Sequence, residues 1–150
     1  VEIIPGVGVE PAKIGDRREA VEQRLGPPVH QDLSRHAVYA SDPMLSVTYD
    51  LDGIVELVDA AYSGHHGGEE LFLRGVQLTY RFMDDVVADL AAMGLIGVPY
   101  DIGVDYEADG FAVYSNSSLS AQELDPDADV NDERRIVEGV SIAPRANLER

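Results

Sequence analysis

The sequence contains no cysteine and no tryptophan. Without cysteine, disulfides, thiol catalysis and thiolate metal sites are all excluded. Long apolar runs are missing as well. Nothing approaches the ~18 residues that a spanning helix needs, and the first residues lack the charged-then-apolar plan of a signal peptide. On that reading no membrane is a partner, and a cytoplasmic location is expected. Positive charge is scarce: 11 Lys plus Arg stand against 28 Asp plus Glu, a net charge of −17 over 150 residues. Lys13 is the sole lysine. Such a surface repels phosphate, which argues against nucleic acid and for a basic partner. Salt adaptation yields the same composition, so charge alone does not define a functional surface.

What is present reads as an α+β chain. Asp16 followed by Glu19 forms a capping-box pattern, and it predicts a helix over 17–25 with Ala20, Val21 and Leu25 on one face. Gly26 and Pro27-Pro28 end it. Strands follow over 36–40, 45–51 and 54–62, the second alternating Leu45, Val47, Tyr49 and Leu51 with Ser46, Thr48 and Asp50. Asp52-Gly53 makes a hairpin turn. The glycine-rich stretch 63–70 reads as a linker. Beyond it, Leu71–Leu78 is expected as one strand with Gly75 as a bulge, and Thr79 as the cap of a helix over 80–93. Further strands are expected over 102–106, 111–115 and 136–142.

The two halves match each other. Val21 and Leu25 align with Val86 and Leu90 at an offset of 65, and Ile54–Val58 aligns with Ile136–Val140 at an offset of 82. The expected architecture is a single domain over 1–150 made of two tandem helix-plus-antiparallel-strand repeats, about 1–62 and 69–144. They form one sheet with both helices packed on one face.

The stretch Ile14-Gly15-Asp16-Arg17-Arg18-Glu19-Ala20-Val21, closed by Leu25-Gly26-Pro27-Pro28, resembles a motif of two related groups. These are the β-lactamase inhibitor proteins and the small lipoproteins that assist outer-membrane protein assembly. The resemblance implies a tandem-repeat α+β scaffold that binds proteins. The inhibitor's disulfides and aromatic-rich gripping face, and the lipoproteins' lipidated cysteine, have no counterpart in a chain without cysteine or tryptophan. Neither activity is carried over.

No nucleophile, base and oxyanion site assembles from the sequence. His65 and His66 with Glu69 or Glu70 are the metal-like group, set against a solvated glycine linker. The run Asp125, Asp127, Asp129 opens like a calcium loop but has Val130 and Ile136 where glycine and a bidentate carboxylate belong. Neither His30 nor His36 has a nucleophile or carboxylate partner recognisable in the sequence. No cofactor is expected. The expected function is a non-catalytic protein-binding module, in one concrete form an immunity-type inhibitor that covers a basic toxin. Its binding face is expected to comprise Ser46, Thr48, Asp50, Glu56, Ala112 and Tyr114 together with Asp125, Asp127 and Asp129. The competing expectation is a small ligand- or metal-binding protein, or an enzyme, using a pocket between sheet and helices that draws on Tyr49, Tyr62, Tyr106 and the histidines.

Overall fold

The computed structural model describes residues 1–31, 35–61 and 69–145. It is a mixed α+β fold around one antiparallel sheet. A small hairpin, β1 (Gly8–Val9) and β2 (Ala12–Lys13), leads into α1 (Arg18–Leu25). Then come β3 (His30–Gln31), β4 (His36–Tyr39), β5 (Met44–Tyr49) and β6 (Val55–Ala61). A second hairpin, β7 (Phe72–Leu73) and β8 (Val76–Gln77), precedes α2 (Met83–Ala92). The chain ends in β9 (Val98–Tyr100), β10 (Gly103–Tyr106), β11 (Phe111–Tyr114), a short 3-10 turn at Ala121–Glu123, and β12 (Gly139–Ile142). The eight-stranded sheet runs β3-β4-β5-β6-β12-β11-β10-β9. Its two four-stranded halves therefore meet where β6 pairs with β12.

Period-two alternation decides what lies beneath the sheet. Tyr39, Leu45, Val47, Tyr49, Val58 and Ala60 from the first half join Val104, Tyr106, Phe111, Val113, Val140 and Ile142 from the second. Val21 of α1 with Val86 and Leu90 of α2 belongs to the same cluster. Both helices thus pack against one sheet face, the inner one.

Several local expectations are corrected. The residue at the N-cap of α1 is Arg17, without a side-chain cap. Asp16 Oδ2 instead accepts from the Lys13 amide at 3.0 Å and from Arg24 at 2.8 Å, tying the hairpin to the last turn of the helix. Burial raises the Asp16 pKa, but the Lys13 amide and Arg24 outweigh it and hold the carboxyl below its ordinary value. A depressed pKa stabilises above the unfolded value and loses that contribution as pH falls through the folded one. Asp16→Ala is therefore expected to cost about 1 kcal/mol at pH 7. Urea melts at stepped pH should show the gap to wild type closing below about pH 4.

Thr79 does not cap α2, whose N-cap residue is Phe82. Its hydroxyl accepts from the Leu71 amide at 3.0 Å and donates to Glu70 at 2.8 Å. The single strand expected over 71–78 is a hairpin, because Arg74 (φ 50°) and Gly75 (φ 86°) make a tight turn. Gly94, at φ 86°, closes α2 as expected: its own amide reaches Ala91 O, and the next amide, Leu95, reaches Leu90 O, both at 2.9 Å. Leu51 leaves the strand and is 91% exposed in the turn.

Under α1 the core contains a polar chain. Tyr39 donates to Glu22 at 2.9 Å and shares a 2.7 Å bond with Tyr49, while Glu22 pairs with Arg18 at 2.9 Å. Across the sheet Tyr106 is only 1% exposed, and its hydroxyl is the buried side-chain group left without a partner among the described residues. Tyr39→Phe is expected to destabilise by about 1 kcal/mol, because Glu22 and Tyr49 lose a buried partner. Tyr106→Phe should be neutral or stabilising, since nothing is lost with its hydroxyl. Equal losses in the two variants on chemical denaturation would contradict this assignment.

Candidate functional site

The outer face of the sheet faces away from both helices. Register places His30, Val38, Ser46, Asp59, Ser141, Ala112, Asp105 and Val98 in one row across all eight strands. A neighbouring row runs Met44, Ala61, Gly139, Tyr114, Gly103 and Tyr100. Asp59 lies at the middle, on β6, directly opposite Ser141 of β12.

Glycine shapes this centre. A Cβ at Gly139 would fall 2.3 Å from the Tyr114 ring, so the ring occupies the space above β12. From β11 it thereby reaches over β12, and its hydroxyl donates to Asp59 Oδ1 at 2.5 Å. Ser141 donates to Asp59 Oδ2 at 3.2 Å. On the other side, His36 Nε2 bonds Ser46 Oγ. Both donors to Asp59 are neutral, and no ion pair to its carboxylate is present among the described residues.

Burial raises the Asp59 pKa above its ordinary value, against the lowering effect of Tyr114, Ser141 and, more weakly, His36. The Tyr114 phenol is raised by its own burial and by the carboxylate it touches. The sign for stability follows. A carboxyl whose pKa rises on folding stabilises below its unfolded pKa, about 3.9, and loses that contribution as pH climbs through the folded value. Asp59→Asn keeps an acceptor for Tyr114 and removes the charge. It is expected to be at least as stable as wild type at pH 7, with the advantage gone by about pH 4 in pH-stepped melts.

Of the residues expected on a binding face, Ser46, Thr48, Ala112 and Tyr114 do lie on this one. Asp50 does not: it sits in the β5–β6 turn, where its Oδ1 accepts from the amides of Asp52 at 2.8 Å and Ile54 at 3.0 Å. Glu56 is the extra residue of a bulge opposite Thr48/Tyr49, and it faces Arg35 at 3.7 Å. Asp125, Asp127 and Asp129 follow the 3-10 turn, off the sheet. Asp125 pairs with Arg134 at 3.0 Å, Asp129 accepts the Asn131 amide at 2.8 Å, and Asp127 is exposed. His65, His66 and Tyr62 lie outside the described residues. Among the described residues no group of three or more His, Cys, Asp and Glu could hold a metal.

No family model, curated protein or solved structure matches the chain. Function is accordingly read from the site itself.

Asp59 was legible in part. It is the only charge in the phase of Leu57 and Ala61, the strand's other charge being Glu56 of the bulge. Its partners were not legible, since Tyr114 and Ser141 meet it only through the β6–β12 pairing. Five surface hollows of 280–560 Å³ among the described residues draw no lining residue from either helix. The two over the second half of the sheet, about 560 and 390 Å³, share Asp105 and Glu107.

Proposed function

We propose that the chain is a non-catalytic protein-binding module, built from two copies of one α+β unit, that takes a basic protein on the outer face of its sheet. The observation that carries this reading is the outer face itself. It is a sheet surface without a packed helix, and its central carboxylate has no ion-pair partner among the described residues. With a net charge of −17, a basic partner is drawn in rapidly from solution. The tandem α+β scaffold of the protein-binding groups that Ile14–Pro28 resembles fits the same reading. An immunity-type inhibitor covering the phosphate site of a toxin is its concrete form.

The two-copy part rests on matched backbone bonds. The bridge Arg17↔Ile54 has a counterpart in Phe82↔Ile136, 65 residues on at the helix and 82 on at the strand. Three hydrogen bonds recur at these offsets. Gly15 to Val55 O (2.9 Å) matches Tyr80 to Val137 O (2.8 Å), and Arg18 to Gly53 O (2.9 Å) matches Met83 to Arg135 O (2.8 Å). Val55 to Asp16 O (2.9 Å) matches Val137 to Arg81 O (2.8 Å). Gly15 and Tyr80 share a positive φ, 94° and 59°. The central pairing is two-fold in kind: Asp59 opposes Ser141, its own equivalent, and Val58↔Ile142 exchanges with Ala60↔Val140.

The test is a pull-down from the native lysate with wild type and a variant carrying Thr48→Arg and Ala112→Arg. Wild type should retain a basic protein at low salt and release it near 1 M, where screening shortens to about 3 Å. The variant should not retain it. Retention by both proteins, or no salt-sensitive basic protein at all, would overturn the proposal.

A further inference from the structure

Superposing the halves through the sheet register separates the two faces. On the inner face equivalent positions carry like side chains: Val47 and Val113, Tyr39 and Tyr106, Val58 and Val140. On the outer face they differ in kind: Thr48 faces Tyr114 as its equivalent, Ser46 faces Ala112, Val38 faces Asp105, and His36 faces Gly103. The backbone is nearly two-fold, but the outer chemistry is one-sided. The first half presents Thr48, Ser46, His36 and Asp59; the second presents Tyr114, Tyr100, Gly103, Gly139, Asp105 and Ser141.

The second half is also the sculpted one. Gly139 leaves room for the Tyr114 ring, Gly103 lets the β11 backbone approach closely, and Tyr100, 41% exposed, lies beside Gly103 on the edge strand. Burial, then Asp105 and Asp59, push the Tyr100 phenol pKa up, against the lowering effect of Arg135. Neither Asp59 nor Asp105 has an ion-pair partner among the described residues. Three strand spacings separate them, about 14 Å. Between them the row is Ser141 and Ala112, small side chains that line the 560 Å³ hollow with Asp105. Pro99 on the edge strand has no N–H to offer a further strand, which disfavours strand addition there. Side chains are thus the means of contact.

We propose that the basic partner is seated across β6 and the second half by two cationic side chains, arginine or lysine, one on Asp59 and one on Asp105, flanked by Tyr100. The proposal rests on the basic-partner reading and names the contact within it. A half-buried carboxylate bonded only by neutral hydroxyls keeps lone pairs and charge for an incoming cation. The exposed ring of Tyr100 offers the same cation an attractive face.

The test uses the whole chain and L-argininamide as probe, followed residue by residue by NMR at low salt. The largest shifts are expected at Asp59, Tyr100, Asp105, Ala112 and Ser141, with none from the uncharged L-citrullinamide. Asp59→Asn with Asp105→Asn should weaken that response at least tenfold and leave any response at Asp125, Asp127 and Asp129 unchanged. Shifts spread evenly over the acidic residues, or unchanged by the double variant, would overturn the seat. If the pull-down yields a salt-sensitive basic protein that the double variant binds as tightly as wild type, the seat fails and the basic-partner reading stands. If no such protein is found, the broader reading fails.

Discussion

Glu138→Ala is expected to destabilise the fold by roughly 3–5 kcal/mol, measured by urea denaturation at neutral pH. The side chain is 7% exposed, and no cation neutralises it among the described residues. It is held by donors of a single loop. Ser118 and Leu119 amides reach Oε2 at 2.9 and 3.0 Å, the Asn116 amide reaches Oε1 at 3.2 Å, and Ser115 Oγ lies 3.4 Å from Oε2. Truncation orphans three backbone donors where β11 leaves the sheet, each worth about 1–3 kcal/mol when left unmet. Glu138→Gln, which keeps one acceptor oxygen but turns a donor toward the other amides, should fall between. Glu56, 82 residues earlier, is exposed, so Glu56→Ala should change stability by less than about 0.5 kcal/mol. Similar losses in the two alanine variants would contradict the role given to the loop.

Gly103→Ala is expected to cost about 3 kcal/mol, at the upper end for overpacking. A Cβ there would stand 1.9 Å from the Val113 carbonyl oxygen and 2.9 Å from the Tyr114 Cα, both backbone atoms. No rotamer change relieves that contact; the β10–β11 pairing itself has to shift. Gly139→Ala meets only the Tyr114 ring, which can swing aside. It should cost less in stability but release the phenol from Asp59, and the tyrosine resonances of the outer face should report that. A larger loss for Gly139→Ala than for Gly103→Ala in thermal and chemical melts would run against this account.

Much of the fold was legible in the chain because its signals are local. Alternation of Leu45, Val47 and Tyr49 depends only on a strand's period of two. Gly94 ends α2 because a positive φ is cheap for glycine. Capping was misread at both helices for an equally physical reason. Asp16 and Thr79 are good acceptors, and tertiary contacts offered them other donors: Arg24 for Asp16, and the Leu71 amide for Thr79. The hairpin over 71–78 was missed because Arg74 adopts a positive φ that its side chain does not advertise.

The sequence by itself determined the α+β composition, the main strands, both helices and the net charge. Each of these depends on neighbours within a few residues, or on a sum over the chain. The tertiary structure alone decided that β6 pairs with β12. That one pairing sets Asp59 against Ser141 and lets Tyr114 reach across Gly139, contacts separated by 82 and 55 residues. No periodicity carries such information, because long-range register is fixed by which apolar faces can be buried together.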